Sequence, residues 1–277
     1  MSKYNKENPL RVFEAFAGYG SQALALDVQK HKHPDFHFEV VGIAEVDKYA
    51  LQAYGAVHGH CPNYGCISKI DWDKVPDFDF FSYSSPCQDF SNAGLQRGGE
   101  EGSGTRSSLL WECRRAIEVK RPKYLMLENV KALVSKKFLP LFHKWLQTLE
   151  ELGYTNYYGV LNAKDYGVPQ NRERIFCISI LGDHDIYHLP TPVPLEIRLK
   201  DILEEEVDDK YVLSETAIQG FLKHNENHKA KGTGFLWIPK DTSVDGGVAP
   251  TITTCFFYKI LEVVYEDVFQ EPIDSSL

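Results

Sequence analysis

Positive charge is in short supply in this chain. Its 277 residues hold 30 Lys and Arg against 39 Asp and Glu, a formal net charge of −9. Taken alone, that balance opposes binding to a polyanion, although nucleic-acid binding needs only a local basic face. Long apolar runs are also missing, so no membrane-spanning segment is expected, and the start Met1-Ser2-Lys3-Tyr4-Asn5-Lys6 does not have the pattern of a signal peptide. Six cysteines are scattered with no Cys-x-x-Cys pair, which argues against a disulfide framework or a zinc ribbon. A reduced, cytoplasmic setting fits that usage. No internal repeat is visible.

Charge is unevenly spread. Residues 111–144 carry nine Lys or Arg against three acids, while Asp201 to Asp209 holds six acids in nine residues. Each stretch reads equally well as solvated helix surface or as an interaction face. The length suffices for one large domain and a small second one.

Apolar strands alternate with helix-spaced segments. Strands are expected at Leu10 to Phe16, Glu39 to Ala44, Phe78 to Ser82, Lys123 to Leu127, Tyr154 to Leu161 and Arg174 to Leu181, with a weak one near Cys66-Ile67-Ser68. Helices are expected at Ser21 to Val28, Asp47 to His58, Ser107 to Val119 and Phe138 to Leu152, the last ended by Gly153. This order predicts an α/β fold with a parallel-type sheet and ligands at the strand carboxyl ends. After Gly182 come prolines at 190, 192 and 194, then the acidic run, then polar residues. That shift places a domain boundary there, giving domains 1–184 and 185–277.

Several segments at strand ends carry chemistry. Phe16-Ala17-Gly18-Tyr19-Gly20 follows the first strand and opens a helix; its glycines allow close approach of backbone to a ligand, or simply a tight turn. Glu45 closes the next strand, where a carboxylate can accept both hydroxyls of a ribose, and Val46 beside it can pack on a flat base. Cys87 follows a buried strand in Ser85-Pro86-Cys87-Gln88, where proline stiffens the turn that presents the thiol. Glu128 sits just beyond the strand Lys123 to Leu127, expected beside it. Gln170, Arg172 and Arg174 alternate, so extended backbone would project them to one face. A glycine-rich stretch, Gly94 to Ser108, follows Cys87 and suits a closing loop. His58, His60, Cys61 and Cys66 match no zinc spacing, and no metal is expected.

The ordered set Phe16-Ala17-Gly18-Tyr19-Gly20, Glu45-Val46-Asp47, Pro86-Cys87-Gln88, Glu128-Asn129-Val130 and Gln170-Asn171-Arg172-Glu173-Arg174 resembles the DNA cytosine-5 methyltransferase family. The resemblance is strong over residues 10–182. It implies a Rossmann-like S-adenosylmethionine-dependent methyltransferase sheet with a small, incomplete target-recognition domain. It also implies double-stranded DNA as substrate and S-adenosylmethionine as methyl donor, in a restriction–modification or phage setting. Cys87 would add to cytosine carbon 6, with Glu128, Arg172 and Arg174 completing the catalytic set. Phe16, Gly18, Gly20, Glu45, Val46, Cys66, Ile67 and Pro86 would line the cofactor, and Gln88, Ser91 and Gln170 would meet nucleic acid around an extruded base.

Two departures stand out. Gly65-Cys66-Ile67 occupies the place of the family's Gly-Asp-Ile, so the adenine contact would fall to backbone groups of Cys66 and Ile67. Ala249-Pro250-Thr251-Ile252-Thr253-Thr254 resembles the end of the recognition region, but no Gly-Asn dipeptide follows, and the last two family motifs are absent from the sequence. Truncation, a split gene or divergence each accounts for that, and in the split-gene case a complementing polypeptide would be a partner. Two other readings remain: methylation of tRNA with the same chemistry, and a catalytically weak nucleic-acid-binding remnant that needs a partner chain.

Overall fold

In the computed structural model the described residues are 3–86, 106–204, 206, 208–209, 213–231 and 247–250. The chain divides into two compact units, Met1–Leu161 with Glu173–Pro190, and Asn162–Arg172 with Thr191–Leu277. The first unit thus runs past the compositional break at Gly182, and the short segment 162–172 goes with the second.

The first unit is built on a six-stranded sheet. Its elements are β1 (Leu10–Ala15), α1 (Ser21–Lys32), β2 (Phe38–Ala44), α2 (Lys48–His58), β3 (Phe80–Tyr83), α3 (Leu110–Lys120), β4 (Tyr124–Val130), α4 (Leu139–Glu151), β5 (Tyr154–Asn162) and, after β6 (Gln170–Asn171) of the second unit, β7 (Glu173–Leu181). The strand order is β2-β1-β3-β4-β7-β5. β2, β1, β3 and β4 run parallel, and β7 lies antiparallel to β4. The apolar run of β1 follows from its central place: Val12 and Phe13 are completely buried, as expected for a strand covered on both faces.

α4 shows how the pattern makes the core. Leu141, Phe142, Trp145, Leu146 and Leu149 recur at helical spacing and are all buried. Trp145 packs edge-on against Tyr83 of β3 and Trp111 of α3, with ring centroids 5.9 and 5.5 Å away. Its indole N–H donates to the Tyr83 hydroxyl at 3.3 Å, so the buried polar tips satisfy each other. Phe13, Trp72, Phe78 and Phe81 form a second aromatic group under β1 and β3.

Two sequence expectations are corrected. Cys66-Ile67-Ser68 is not a strand: Ile67–Lys69 is a single 3-10 turn begun at Cys66. What pairs with β2 instead is an isolated parallel bridge, Ile43 with Asn63. Nor is 170–174 one extended strand. The backbone turns sharply at Asn171, with the Arg172 amide donating to the Gln170 carbonyl at 3.0 Å.

In the second unit, β6 pairs in parallel with β8 (Ala249–Pro250), and α5 (Glu215–Lys231) lies between them in sequence. Asn162 caps the turn Ala163–Tyr166 and accepts the Arg172 amide at 3.0 Å, closing the segment 162–172 into a compact loop. Among the described residues no helix is long and apolar enough to cross a membrane.

Candidate active site

Four parallel strands deliver the expected site segments to one edge of the sheet. Ala15 is in register with Ala44 on one side and Tyr83 on the other, and Tyr83 with Leu127. The residues that follow them, Phe16–Gly20, Glu45–Asp47, Ser84–Pro86 and Glu128–Val130, therefore leave from the same carboxyl edge, where open α/β sheets bind ligands.

The glycine turn is held open. Phe16 adopts a left-handed backbone (φ 57°), as do Gly18 and Gly20 (φ 59° and 82°). A non-glycine residue in that region stores strain of order 1–3 kcal/mol, which is found at ligand sites. A Cβ added at Gly18 would meet no atom within 4 Å, so space lies before this turn. At Gly20 the opposite holds: a Cβ would fall 2.4 Å from Nε2 of His58, whose ring bonds the carbonyls of Tyr19 and Gly20 at 3.1 and 3.0 Å.

Gly20 begins α1 without a side chain to cap it. Glu14, buried in β1, supplies the cap: its Oε1 accepts the Ala23 amide at 3.0 Å and its Oε2 accepts the Tyr54 hydroxyl of α2 at 2.9 Å. Burial raises the Glu14 carboxyl above the ordinary range, although these two bonds and nearby His58 work against that shift. Sequence reasoning missed this residue. The available signal was an acid set between Phe13 and Ala15 at the buried end of a strand.

Glu45 joins the turn to the end of β2. Its Oε2 accepts the Gly18 amide at 2.9 Å, and its Oε1 accepts the amides of Val46 and Asp47, each at 2.8 Å. Oε2 keeps one lone pair for a further donor. Val46 is 71% exposed beside it, an apolar surface open to a ligand. Open space at Gly18, a backbone-fixed carboxylate and an exposed apolar side chain together fit an adenosyl group. Ile67 is buried, and the Cys66 thiol contacts the Ser68 hydroxyl at 3.1 Å, which lowers its pKa. Cys66 therefore presents backbone rather than an acceptor side chain.

The other half of the site is built on β3 and β4. Glu128 and Arg174 are brought together: Nε of Arg174 lies 3.1 Å from Oε1 of Glu128, with side chains 17% and 21% exposed. The antiparallel register places Arg174 opposite Val130, diagonal to Glu128. Asn129 points to the other face and is buried. Its Nδ2 donates to the Ser85 carbonyl and hydroxyl at 3.1 and 3.3 Å, and its Oδ1 accepts the Val130 amide at 2.9 Å. This tethers the start of the Ser85-Pro86 turn to the end of β4. The Ser84 hydroxyl oxygen nearby is buried and has no hydrogen-bond partner among the described residues, which fits a site whose ligand supplies one.

Cys87, Gln88, Ser91 and most of the glycine-rich stretch lie outside the described residues. Pro86 is the last described residue before them. Gln170 and Arg172 belong to the second unit and Arg174 to the first. Among the described residues no group of three or more His, Cys, Asp or Glu could hold a metal ion. His58 bonds the glycine turn, and the Cys61 thiol faces the Val40 carbonyl at 3.8 Å.

Comparison with known proteins adds to this geometry. A family described as C-5 cytosine-specific DNA methylase matches residues 10–255. The Type II methyltransferase M2.ScrFI of Lactococcus lactis subsp. cremoris is 41% identical over 87% of this chain and 83% of its own length. The Type II methyltransferase M.SsoII of Shigella sonnei is 37% identical, over 83% of this chain and 59% of its own. Among solved structures, the S. pombe Dnmt2 methyltransferase superposes with a TM-score of 0.60 at 19% identity, covering 78% of this chain and 66% of that one. The Entamoeba histolytica methyltransferase EhMeth gives 0.63 at 17%, covering 77% and 66%. At these identities the structures speak for the fold, which is the Rossmann-like methyltransferase sheet.

Proposed function

The chain belongs to the C-5 cytosine-specific DNA methylase family, and from that premise we propose that it methylates carbon 5 of cytosine in double-stranded DNA through a covalent bond from Cys87. S-adenosylmethionine supplies the electrophilic methyl group in this family. The observation that carries the reading is the Glu128–Arg174 pair at the end of β4, beside the turn that leads to Cys87.

Cytosine carbon 5 is a poor nucleophile. Addition of the Cys87 sulfur to carbon 6 moves the ring π electrons toward carbon 5 and makes it reactive. Glu128 binds the ring nitrogen and exocyclic amino group and holds the proton that the ring takes up. Arg174 fixes the Glu128 carboxyl through its planar fork. After methylation, loss of the carbon 5 proton restores the ring double bond and expels the sulfur. At the nucleoside end of the cofactor, Glu45 accepts ribose hydroxyls, Phe16 and Val46 flank the base, and Cys66 and Ile67 offer backbone groups. Gly18 and Gly20 let the turn approach, and Pro86 adjoins the reacting methyl. Gln88, Ser91, Gln170 and Arg172 meet the DNA around the extruded base. The relatives' Type II names support a role as the protecting partner of a restriction endonuclease, and a thiol nucleophile suits a reduced, cytoplasmic setting. The family description favours DNA over the tRNA reading.

A duplex carrying 5-fluorocytosine at the target position tests the assignment. Fluorine blocks the final elimination, so the wild-type chain should stay bound to DNA and Cys87→Ala should not. An adduct formed by Cys87→Ala removes Cys87 as nucleophile. Labelled cofactor offered with tRNA reads the RNA alternative, and a parallel arm with the carboxyl-terminal part of a full-length relative added in trans reads the need for a partner polypeptide.

A further inference from the structure

The end of β2 is an edge, and something other than a strand holds it in place. Ile43 still has backbone partners across the edge: its amide donates to the Pro62 carbonyl at 2.9 Å and its carbonyl accepts the Tyr64 amide at 2.8 Å. Two residues further on, at Glu45, a side chain takes over. Oδ1 of Asn63 accepts the Glu45 amide at 3.1 Å, and Nδ2 of Asn63 donates to the Glu45 carbonyl at 3.0 Å. A primary amide carries the same donor and acceptor as a peptide, so Asn63 extends the ladder by one step where no backbone is available. The same Oδ1 accepts the Gly65 amide at 3.0 Å, folding the chain back into the Gly65-Cys66-Ile67 segment. Both acceptor positions of Oδ1 are filled by N–H donors, so the orientation of the amide is fixed by its partners.

We infer that Asn63 is a positioning residue for the cofactor, presetting the Glu45 carboxylate and the Cys66–Ile67 backbone as a single unit. This rests on the reading of Glu45 as the ribose acceptor. The Glu45 carboxylate is tied to the amides of its neighbours Val46 and Asp47, so its aim at Gly18 follows its own peptide, which Asn63 holds from the edge side while the Phe16 amide holds the adjacent Ala44 carbonyl at 2.8 Å from the β1 side. At position 66 the side chain is engaged with Ser68, so any contact to the base must come from backbone whose placement depends on Asn63.

The experiment is calorimetric titration of S-adenosylhomocysteine into the wild-type chain, Asn63→Ala, Asn63→Asp, Glu45→Gln, and the double variant Asn63→Ala with Glu45→Gln. Asn63→Ala should weaken binding about tenfold, and the double variant should lose clearly less than the sum of the two single losses, because the share of the Asn63 effect that passes through the Glu45 carboxylate is already gone and only the share that passes through Cys66–Ile67 remains. With turnover as a second readout, the loss should fall on KM for the cofactor more than on kcat. Should Asn63→Ala not fold, Asn63→Asp carries the test: it keeps both acceptor bonds, loses the donor and sets a negative charge against the Glu45 carbonyl. Wild-type affinity in the Asn63 variants, or full additivity with Glu45→Gln, overturns the role of Asn63 while leaving the cofactor site standing. A wild-type chain that does not bind the nucleoside overturns the site and the role together.

Discussion

Asn129 is the residue on which the reactive turn depends. It is 2% exposed and makes three hydrogen bonds, two of them to Ser85, 44 positions earlier. Asn129→Ala should destabilise the chain by about 1–3 kcal/mol, the penalty for leaving buried polar groups unpaired. It should also slow single-turnover methyl transfer more than it weakens cofactor binding, since the turn it holds leads to Cys87 and carries only Pro86 of the cofactor-lining residues, while Glu45 is held by other bonds. Denaturation and rapid-quench measurements on one preparation check both parts. The places of Glu45 and Glu128 at strand ends were legible in the sequence because each sits in a motif that follows an apolar run, while Cys87 lies outside the described residues. The work of Glu14, Asn63 and Asn129 was not legible. Their side chains bond backbone or hydroxyl groups 9 to 44 positions away, and such pairings leave no periodicity to read.

At the scale of elements, the β1–α1 joint is the tightest point. Gly20 has φ 82° and no room for a Cβ against His58 and Tyr54. Gly20→Ala should lower stability by at least about 1–2 kcal/mol from backbone strain alone. It should lower cofactor affinity as well, because the turn must shift to admit the methyl; a thermal melt and a binding titration read the two effects. The helices and parallel strands of the first unit were legible from their apolar spacing within a few residues of their ends, whereas α5 of the second unit, in a stretch that reads as polar, was not. Two further segments were misjudged. Cys66-Ile67-Ser68 has strand-like residues, yet Gly65 (φ 72°) and the Asn63 amide turn the chain there into a 3-10 turn. The alternation of Gln170, Arg172 and Arg174 suggested one strand, but the turn at Asn171 breaks it, and only Arg174 lies on β7. That β7 would run against its neighbour was also hidden, since buried parallel and antiparallel strands share the same apolar composition.

For the whole molecule, buried thiols contribute to the alkaline limit, together with Tyr54, Tyr83 and Tyr154, whose hydroxyl pKa values burial also raises. Burial pushes Cys177 up to about 12 and Cys113 well above the ordinary thiol range. With folded-state values above those of the unfolded chain, these groups contribute stability that is complete below pH ~9 and is lost as pH rises through the folded values, by at most about 1.4 kcal/mol per pH unit for each thiol. Urea midpoints should therefore fall between pH 9 and 11, and Cys177→Ala should make that fall shallower whatever it does to stability at pH 7. An equal slope in the variant would assign the alkaline loss to other groups. The strand order has a consequence in time. β7 is the last strand of the large sheet to be made, yet it lies inside it, between β4 and β5. A chain emerging from the ribosome carries Glu45, Asn63 and Glu128 well before Arg174. Until β7 slots in, β4 shows an unpaired edge and β5 has no place in the sheet. Newly made chains are in that interval open to pairing with one another, and the acid that would greet the cytosine receives its arginine only as the sheet closes from within.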